Sequence, residues 1–147
     1  MLKGIDPLLG PELLAMLRAM GHGDEIVIAD ANFPAAANAK RLVRLDGVSS
    51  PRAAQAILSV LPLDDFEAQA AFRMAMAGSP GEVPPVCREL ETALAAAGYD
   101  RGVAGLERHA FYARAREAFG VVATGESRFW GNLILKKGAI PPAEGDG

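Results

Sequence analysis

The chain has 147 residues, half of them hydrophobic and 22% charged, with a formal net charge of -3. That composition belongs to a folded globular domain and excludes a disordered polymer. The mildly acidic balance, with no basic cluster beyond Lys136 and Lys137, speaks against nucleic acid or an anionic membrane as the main partner.

Cys87 is the only cysteine, so neither an intrachain disulfide nor a Cys-rich zinc site can form, and nothing calls for an oxidising compartment. The opening MLKGIDPLLGPELL lacks an apolar run of signal-peptide length, and no stretch approaches the roughly 20 apolar residues of a membrane span. The reading is a cytoplasmic protein with one domain over residues 1–140. The tail, residues 141–147, carries Gly, Pro and acidic residues with little to bury, and is expected to be flexible.

In chain order, Leu13, Leu14, Leu17 and Met20 recur at helical spacing ahead of Gly21. Ile26, Val27 and Ile28 then form a β-branched run that reads as a strand buried on both faces. His22 falls in the turn between them. Past the loop ANFPAAANAK, Leu42, Val43 and Leu45 suggest a second strand. Ser50 is a good N-cap, Pro51 suits the first helical position, and Ala54, Ile57, Leu58 and Leu61 mark one face of a helix stopping before Pro62.

FEAQAAFRMAMAG fits a helix by propensity and a strand by alternation, and periodicity does not choose between them. Residues 86–97 and 108–119 read as helices, the second with Phe111, Ala115 and Ala118 inward. GVVATGE and GNLILKKG supply two more short apolar runs. Helices alternating with short strands indicate a layered α/β sandwich, its central sheet mostly parallel or mixed and flanked by helices. Such folds bind ligands beyond the strand ends, where Asp30, Thr124 to Glu126 and Trp130 to Asn132 fall.

His22, set between two glycines after a helix end, can serve as a general acid, because the negative end of the helix dipole favours an imidazolium. The structural alternative is a ring that caps the helix carbonyls. Asp30 is either a carboxylate at a strand tip, open to sugar hydroxyls, or a turn-forming residue before Asn32-Phe33-Pro34. Trp130 and Asn132 face one side if they lie in a strand. There the indole can stack on the C–H face of a sugar while the amide meets hydroxyls, although a lone Trp is as easily core. GHGDEI runs from helix to strand, the reverse of a dinucleotide loop. A zinc set of His22, Asp24 and His109 lacks any recognised spacing.

LLGPELLAMLRAMGHGDEIVIADANFP, RHAFYARAREAF, VVATGE and FWGNLILKKG together resemble the fucose mutarotase and ribose pyranase (RbsD/FucU) family over nearly the whole chain. The HGDE start, Phe33 before Pro34 and the Gly-Asn-containing final motif resemble its fucose branch. The resemblance implies an RbsD-like fold and a cofactor-free, metal-free isomerase that interconverts the α and β anomers of a free sugar, L-fucose first among them. It also implies homo-oligomers, decameric rings among them, with sites near subunit contacts. By motif, the family's general acid falls on His22, and its sugar-binding residues on Asp30, Arg108, Trp130, Gly131 and Asn132. Asn32, His109 and Trp130 depart from the branch pattern of His, Phe and Tyr. At Trp130 the change replaces a phenol with a donor-only indole, which suits stacking and binding but not proton transfer.

Mutarotation removes the anomeric O–H proton, protonates the ring oxygen and recloses the hemiacetal on the other carbonyl face. It needs acid-base catalysis and orientation, for which histidine is suited at neutral pH. The alternatives are a D-ribose pyranase, a non-catalytic monosaccharide-binding or transport-accessory protein, and a structural assembly module. Tyr112, His109 and Glu126 stand open as a second proton-transfer group, with Tyr112 expected to pack in the core.

Overall fold

A computed structural model describes residues 1–144; residues 145–147, the end of the tail expected at 141–147, lie outside the described residues. The elements are α1 (Pro11–Ala19), β1 (Glu25–Ala29), α2 (Ala35–Asn38), β2 (Leu42–Leu45), α3 (Ser50–Leu58), β3 (Ala71–Met74), α4 (Pro85–Ala96), β4 (Ala104–Leu106), α5 (Arg108–Glu117), β5 (Gly120–Thr124) and β6 (Leu133–Lys136). The strands form one six-stranded sheet in the order β2-β5-β1-β6-β3-β4. β6 runs antiparallel to both of its neighbours, β1 and β3, while the other pairings are parallel. No helix among the described residues is long and apolar enough to cross a membrane.

Side chains alternate across a strand, and β1 feeds both faces of the sheet. Ile26 and Ile28 join a core with Leu13 and Leu17 of α1, Ile57 of α3 and Leu90 and Leu94 of α4. Val27 and Ala29 join the opposite core with Phe111 and Ala115 of α5. The result is a helix–sheet–helix sandwich, and the FEAQAAFRMAMAG ambiguity resolves in favour of a strand, β3, with all four residues buried. Three-residue β4, which contains Gly105, and four-residue α2 are too short to leave a periodic signal.

α3 stops at Leu58, short of the expected stop before Pro62, and the caps at two helix ends also differ from expectation. Ser49, not Ser50, caps α3, accepting from the Arg52 amide at 3.2 Å, and Ser50 becomes the buried first helical residue. At the end of α1 the ammonium of Lys137 donates to the carbonyls of Leu17 at 2.7 Å and Met20 at 2.6 Å. A cation therefore satisfies the helix C-terminus, and it is not His22.

β5 and β6 lie on either side of β1, so residues 125–132 must cross the end of β1 where β5 finishes and β6 begins. That is the C-terminal end, from which Asp30 emerges. The Ala31 amide is tied to the Glu126 carbonyl there at 2.8 Å. At the opposite end of these central strands, the residues before β1 and before β3 meet the end of β6: Gly23 N–H donates to Lys137 O at 2.9 Å, and Asp64 N–H donates to Lys136 O at 3.0 Å.

Candidate active site

At the C-terminal edge, Asp30 and Asn132 form a buried reciprocal pair, each about 95% removed from solvent. The Asp30 amide donates to Asn132 Oδ1 at 2.7 Å, and Asn132 Nδ2 donates to Asp30 Oδ2 at 3.0 Å. The Asn32 amide donates to Asp30 Oδ1 at 3.0 Å, a backbone contact that does not depend on which side chain residue 32 carries. Burial pushes the Asp30 carboxyl above its usual range, while the amides of Asn32 and Asn132 oppose the shift. The backbone of Phe33 and of Gly131 also favours the charged form.

The pair borders a shallow cleft of about 180 Å³, with Asn32 and Arg108 as further polar groups and Phe33, Met74, Tyr112, Phe129 and Trp130 as apolar wall. Arg108 is the first residue of α5, whose N-terminus is capped by the Glu107 carboxylate accepting from the amides of His109 at 2.9 Å and Ala110 at 3.2 Å. Larger clefts exist, such as one of about 460 Å³ lined mainly by aliphatic side chains including Leu14, Leu17 and Val60. That one offers only Arg18 and Lys137 as polar side chains and lacks the converging set that orients a polar ligand.

The loop that carries Trp130 is tightly fixed. Trp130 has φ of 71°, an outlier for a bulky residue of the kind found at functional sites. Its carbonyl accepts from Cys87 Sγ at 3.2 Å; burial pushes the Cys87 thiol up to about 11, so it stays a donor. Glu126 is gripped by Arg128 Nε at 3.0 Å and Nη2 at 2.9 Å, which holds the Glu126 carboxyl below its usual range. Arg128 also pairs with Glu89 of α4.

A Cβ on Gly131 would lie 2.8 Å from Glu126 Cγ and 3.0 Å from Ser50 Oγ. Gly131 thus shapes the loop from behind and does not line the cleft. Gly131→Ala is expected to cost about 1–3 kcal/mol by overpacking, read as a lower thermal midpoint.

His22 is elsewhere. Its Nε2 lies 2.8 Å from Asp64 Oδ1, with the imidazole 44% exposed and the Asp64 side chain 2% exposed. Phe66 covers one side of the ring, with centroids 5.0 Å apart. The His22 bond, helped by the amides of Glu67 and Phe66, holds the Asp64 carboxyl below its usual range. An ionised carboxylate only accepts, so Nε2 carries the hydrogen and Nδ1 is left to exchange a proton. The logic is that of a carboxylate orienting a catalytic imidazole.

His22 and Asp30, which the family resemblance pairs as acid and sugar-binding residue, do not meet within one chain. Five-residue β1 stands between them, and at about 3.3 Å per residue it sets them at opposite edges of the sheet. The structure gathers Asp30, Arg108, Trp130 and Asn132 at one edge and leaves His22 at the other.

Several other expectations change as well. Trp130 and Asn132 precede the strand, which starts at Leu133, yet both border the cleft. Tyr112 packs against the core around Phe111, as expected, and also lines the cleft, edge-on to Phe33 at 5.5 Å. Glu126 is committed to Arg128 behind the cleft. Sequence reasoning missed Asp64, Phe66, Met74 and Phe129. For Asp64, 42 residues from His22, no local pattern could have revealed the pairing. Among the described residues no three His, Cys, Asp or Glu side chains gather as a metal-ligand set, and the Asp24 carboxylate accepts instead from the Gly21 amide at 2.7 Å.

The mixed α/β sandwich thus carries a strand-end cleft that joins a buried carboxylate–amide pair to a guanidinium and an indole. The chain belongs to the RbsD / FucU transport protein family, whose model matches residues 3–140. It is 47% identical to the fucose mutarotase of Danio rerio, covering 97% of both chains. It is 42% identical to an L-fucose mutarotase of Haemophilus influenzae, covering 96% of this chain and 99% of that one. The crystal structure of the fucose mutarotase from Streptococcus pneumoniae in complex with L-fucose superposes with a TM-score of 0.89 at 39% identity, covering 95% and 100% of the two chains.

Proposed function

We propose that this protein is a mutarotase that interconverts the anomers of L-fucose, acting in the cytoplasm as a homo-oligomer. The observation that carries the reading is the convergence of Asp30, Asn132, Arg108 and Trp130 on one cleft in a chain similar over its full length to fucose mutarotases. Asp30 and Arg108 hold sugar hydroxyls, Asn132 orients the anomeric end, and Trp130 stacks on the C–H face. With the ring protonated on both nitrogens, His22 Nδ1 gives its proton to the ring oxygen while a solvent water takes the proton of the anomeric hydroxyl, and that water later returns a proton to Nδ1. The C–O bond then opens to the aldehyde, and the steps reverse on the other carbonyl face.

His22 cannot serve the cleft of its own chain, since β1 separates the two by more than a pyranose ring spans. The reading therefore includes a second copy whose His22–Asp64 edge covers the cleft. Two exposed aromatics mark the contact: Phe66 over His22, 78% exposed, and Phe129 on the cleft rim, 71% exposed. A head-to-tail contact between unlike surfaces repeats around a ring when its rotation closes, and a decamer of two rings satisfies that geometry.

Two-dimensional exchange NMR on the anomeric protons of L-fucose, with catalytic amounts of protein, tests the function. Exchange above the spontaneous rate is expected. Sugar-induced quenching of Trp130 fluorescence without faster exchange would instead indicate a binding protein, and faster pyranose–furanose exchange of D-ribose alone would indicate a pyranase.

The apolar wall of Phe33, Met74 and Phe129 favours a methyl substituent on the sugar. L-galactose differs from L-fucose by one hydroxyl on that carbon. Losing an apolar contact and desolvating a hydroxyl is expected to lower kcat/KM for L-galactose about tenfold, as read in the same exchange experiment.

A further inference from the structure

The loop that presents Asp64 and Phe66 to His22 has little regular structure of its own, yet it is anchored at several points by one short segment after α4. The Arg101 guanidinium donates through Nη2 to the Asp64 carbonyl and through Nη1 to the Glu67 carbonyl. It sits 5.2 Å from the centroid of the Tyr99 ring. The Tyr99 hydroxyl accepts from the Ala70 amide at 3.1 Å and donates to the Gly102 carbonyl at 2.7 Å. Residues 99–102 thus hold the loop at Asp64, Glu67 and Ala70. Within the loop, the amides of Glu67 at 3.1 Å and Phe66 at 3.4 Å fold back onto the Asp64 carboxylate.

We infer that Arg101 is a positioning residue: by fixing the carbonyls of Asp64 and Glu67 it aims the Asp64 carboxylate at His22 Nε2 and so sets which ring nitrogen carries the hydrogen. A planar guanidinium spans two carbonyls at a fixed separation, which a lysine ammonium at the end of a flexible stem does not reproduce. Arg101 touches neither ring nor cleft; its effect passes through Asp64. The catalytic part of the inference rests on the assignment of His22 as the acid, but the effect on the ring does not.

The test is ¹⁵N NMR of the His22 imidazole in the wild type, Arg101→Met, Arg101→Lys and Asp64→Asn, alongside L-fucose exchange rates and thermal midpoints. In the wild type the neutral ring should be in the Nε2–H form. Arg101→Met should shift it toward a mixture of tautomers, as Asp64→Asn does, and lower kcat about tenfold, the scale of lost outer-shell support, with KM changed less than about twofold. Arg101→Lys should lie between the two.

An unchanged ring tautomer in folded Arg101→Met overturns the inference whatever the rate. A shifted tautomer with unchanged turnover upholds the brace and overturns His22 as the acid. If the wild type itself fails to accelerate exchange, the mutarotase reading falls while the ring spectrum still decides the role of Arg101. Should Arg101→Met not fold, Tyr99→Phe, which removes only the hydroxyl that holds Ala70 and Gly102, provides the same readout with a smaller expected shift. An unchanged tautomer there as well overturns the inference.

Discussion

His22→Ala is expected to slow the catalysed anomeric exchange of L-fucose by about 10²–10⁴-fold, the usual share of a positioned general acid. The fold should survive, because the imidazole is 44% exposed and makes its hydrogen bond to a carboxylate that the amides of Glu67 and Phe66 also hold. Asp64→Asn should act in the same direction by about tenfold or more, since the amide does not enforce donation from Nε2. Exchange rates measured on proteins with matched thermal midpoints separate this loss from misfolding. Activity in His22→Ala equal to the wild type would remove the acid from the mechanism.

The second large effect belongs to Asn132. Replacing it with Ala strips the Asp30 amide of its acceptor and Asp30 Oδ2 of a donor, both in a buried setting. Leaving such groups unsatisfied costs about 2–4 kcal/mol in total, to be read from urea unfolding. Sugar binding should weaken with it, because the same pair lines the cleft.

The pH dependence has a sign that can be worked out. Burial raises the folded-state Asp30 pKa, so the stability gained by protonating it is present below the ordinary aspartate range and is lost as pH rises through the raised value. Loss of the Asn132 amide should raise that value further. Asp64 is the opposite case: its folded pKa is lowered, so its contribution is full above the ordinary range and disappears as pH falls through the lowered value. The stability gap between wild type and Asp64→Asn should therefore close in acid, which urea titrations at several pH values would follow.

Much of the framework can be read in the chain itself. Ile26 to Ile28 declare a buried strand, and the helix that starts at Ser50-Pro51 lies one residue from its expected cap. Asp30, Arg108, Trp130 and Asn132, singled out at strand and helix ends, do meet in one cleft. What escaped depends on contacts that local pattern does not encode. Eight positions separate His22 from Asp30, but a fully extended β1 turns that closeness into opposite edges. The α1 terminus is satisfied by Lys137, which lies more than a hundred residues away. β3 resisted assignment because its alanines and methionines favour a helix by propensity while its alternation favours a strand, and burial on both faces removes the polar contrast that would have decided between them.

The most direct test of the account is complementation between two inactive chains. His22→Ala keeps the cleft and loses the acid; Arg108→Ala, at the exposed start of α5, keeps the acid edge and loses the cleft guanidinium. If each site joins the His22 edge of one copy to the cleft of the next, random co-assembly of equal amounts restores both halves in about a quarter of the sites, as head-to-tail pairing requires. Exchange NMR on the co-refolded mixture should then show about a quarter of wild-type L-fucose exchange. A mixture no more active than its two separate components would contradict the shared site.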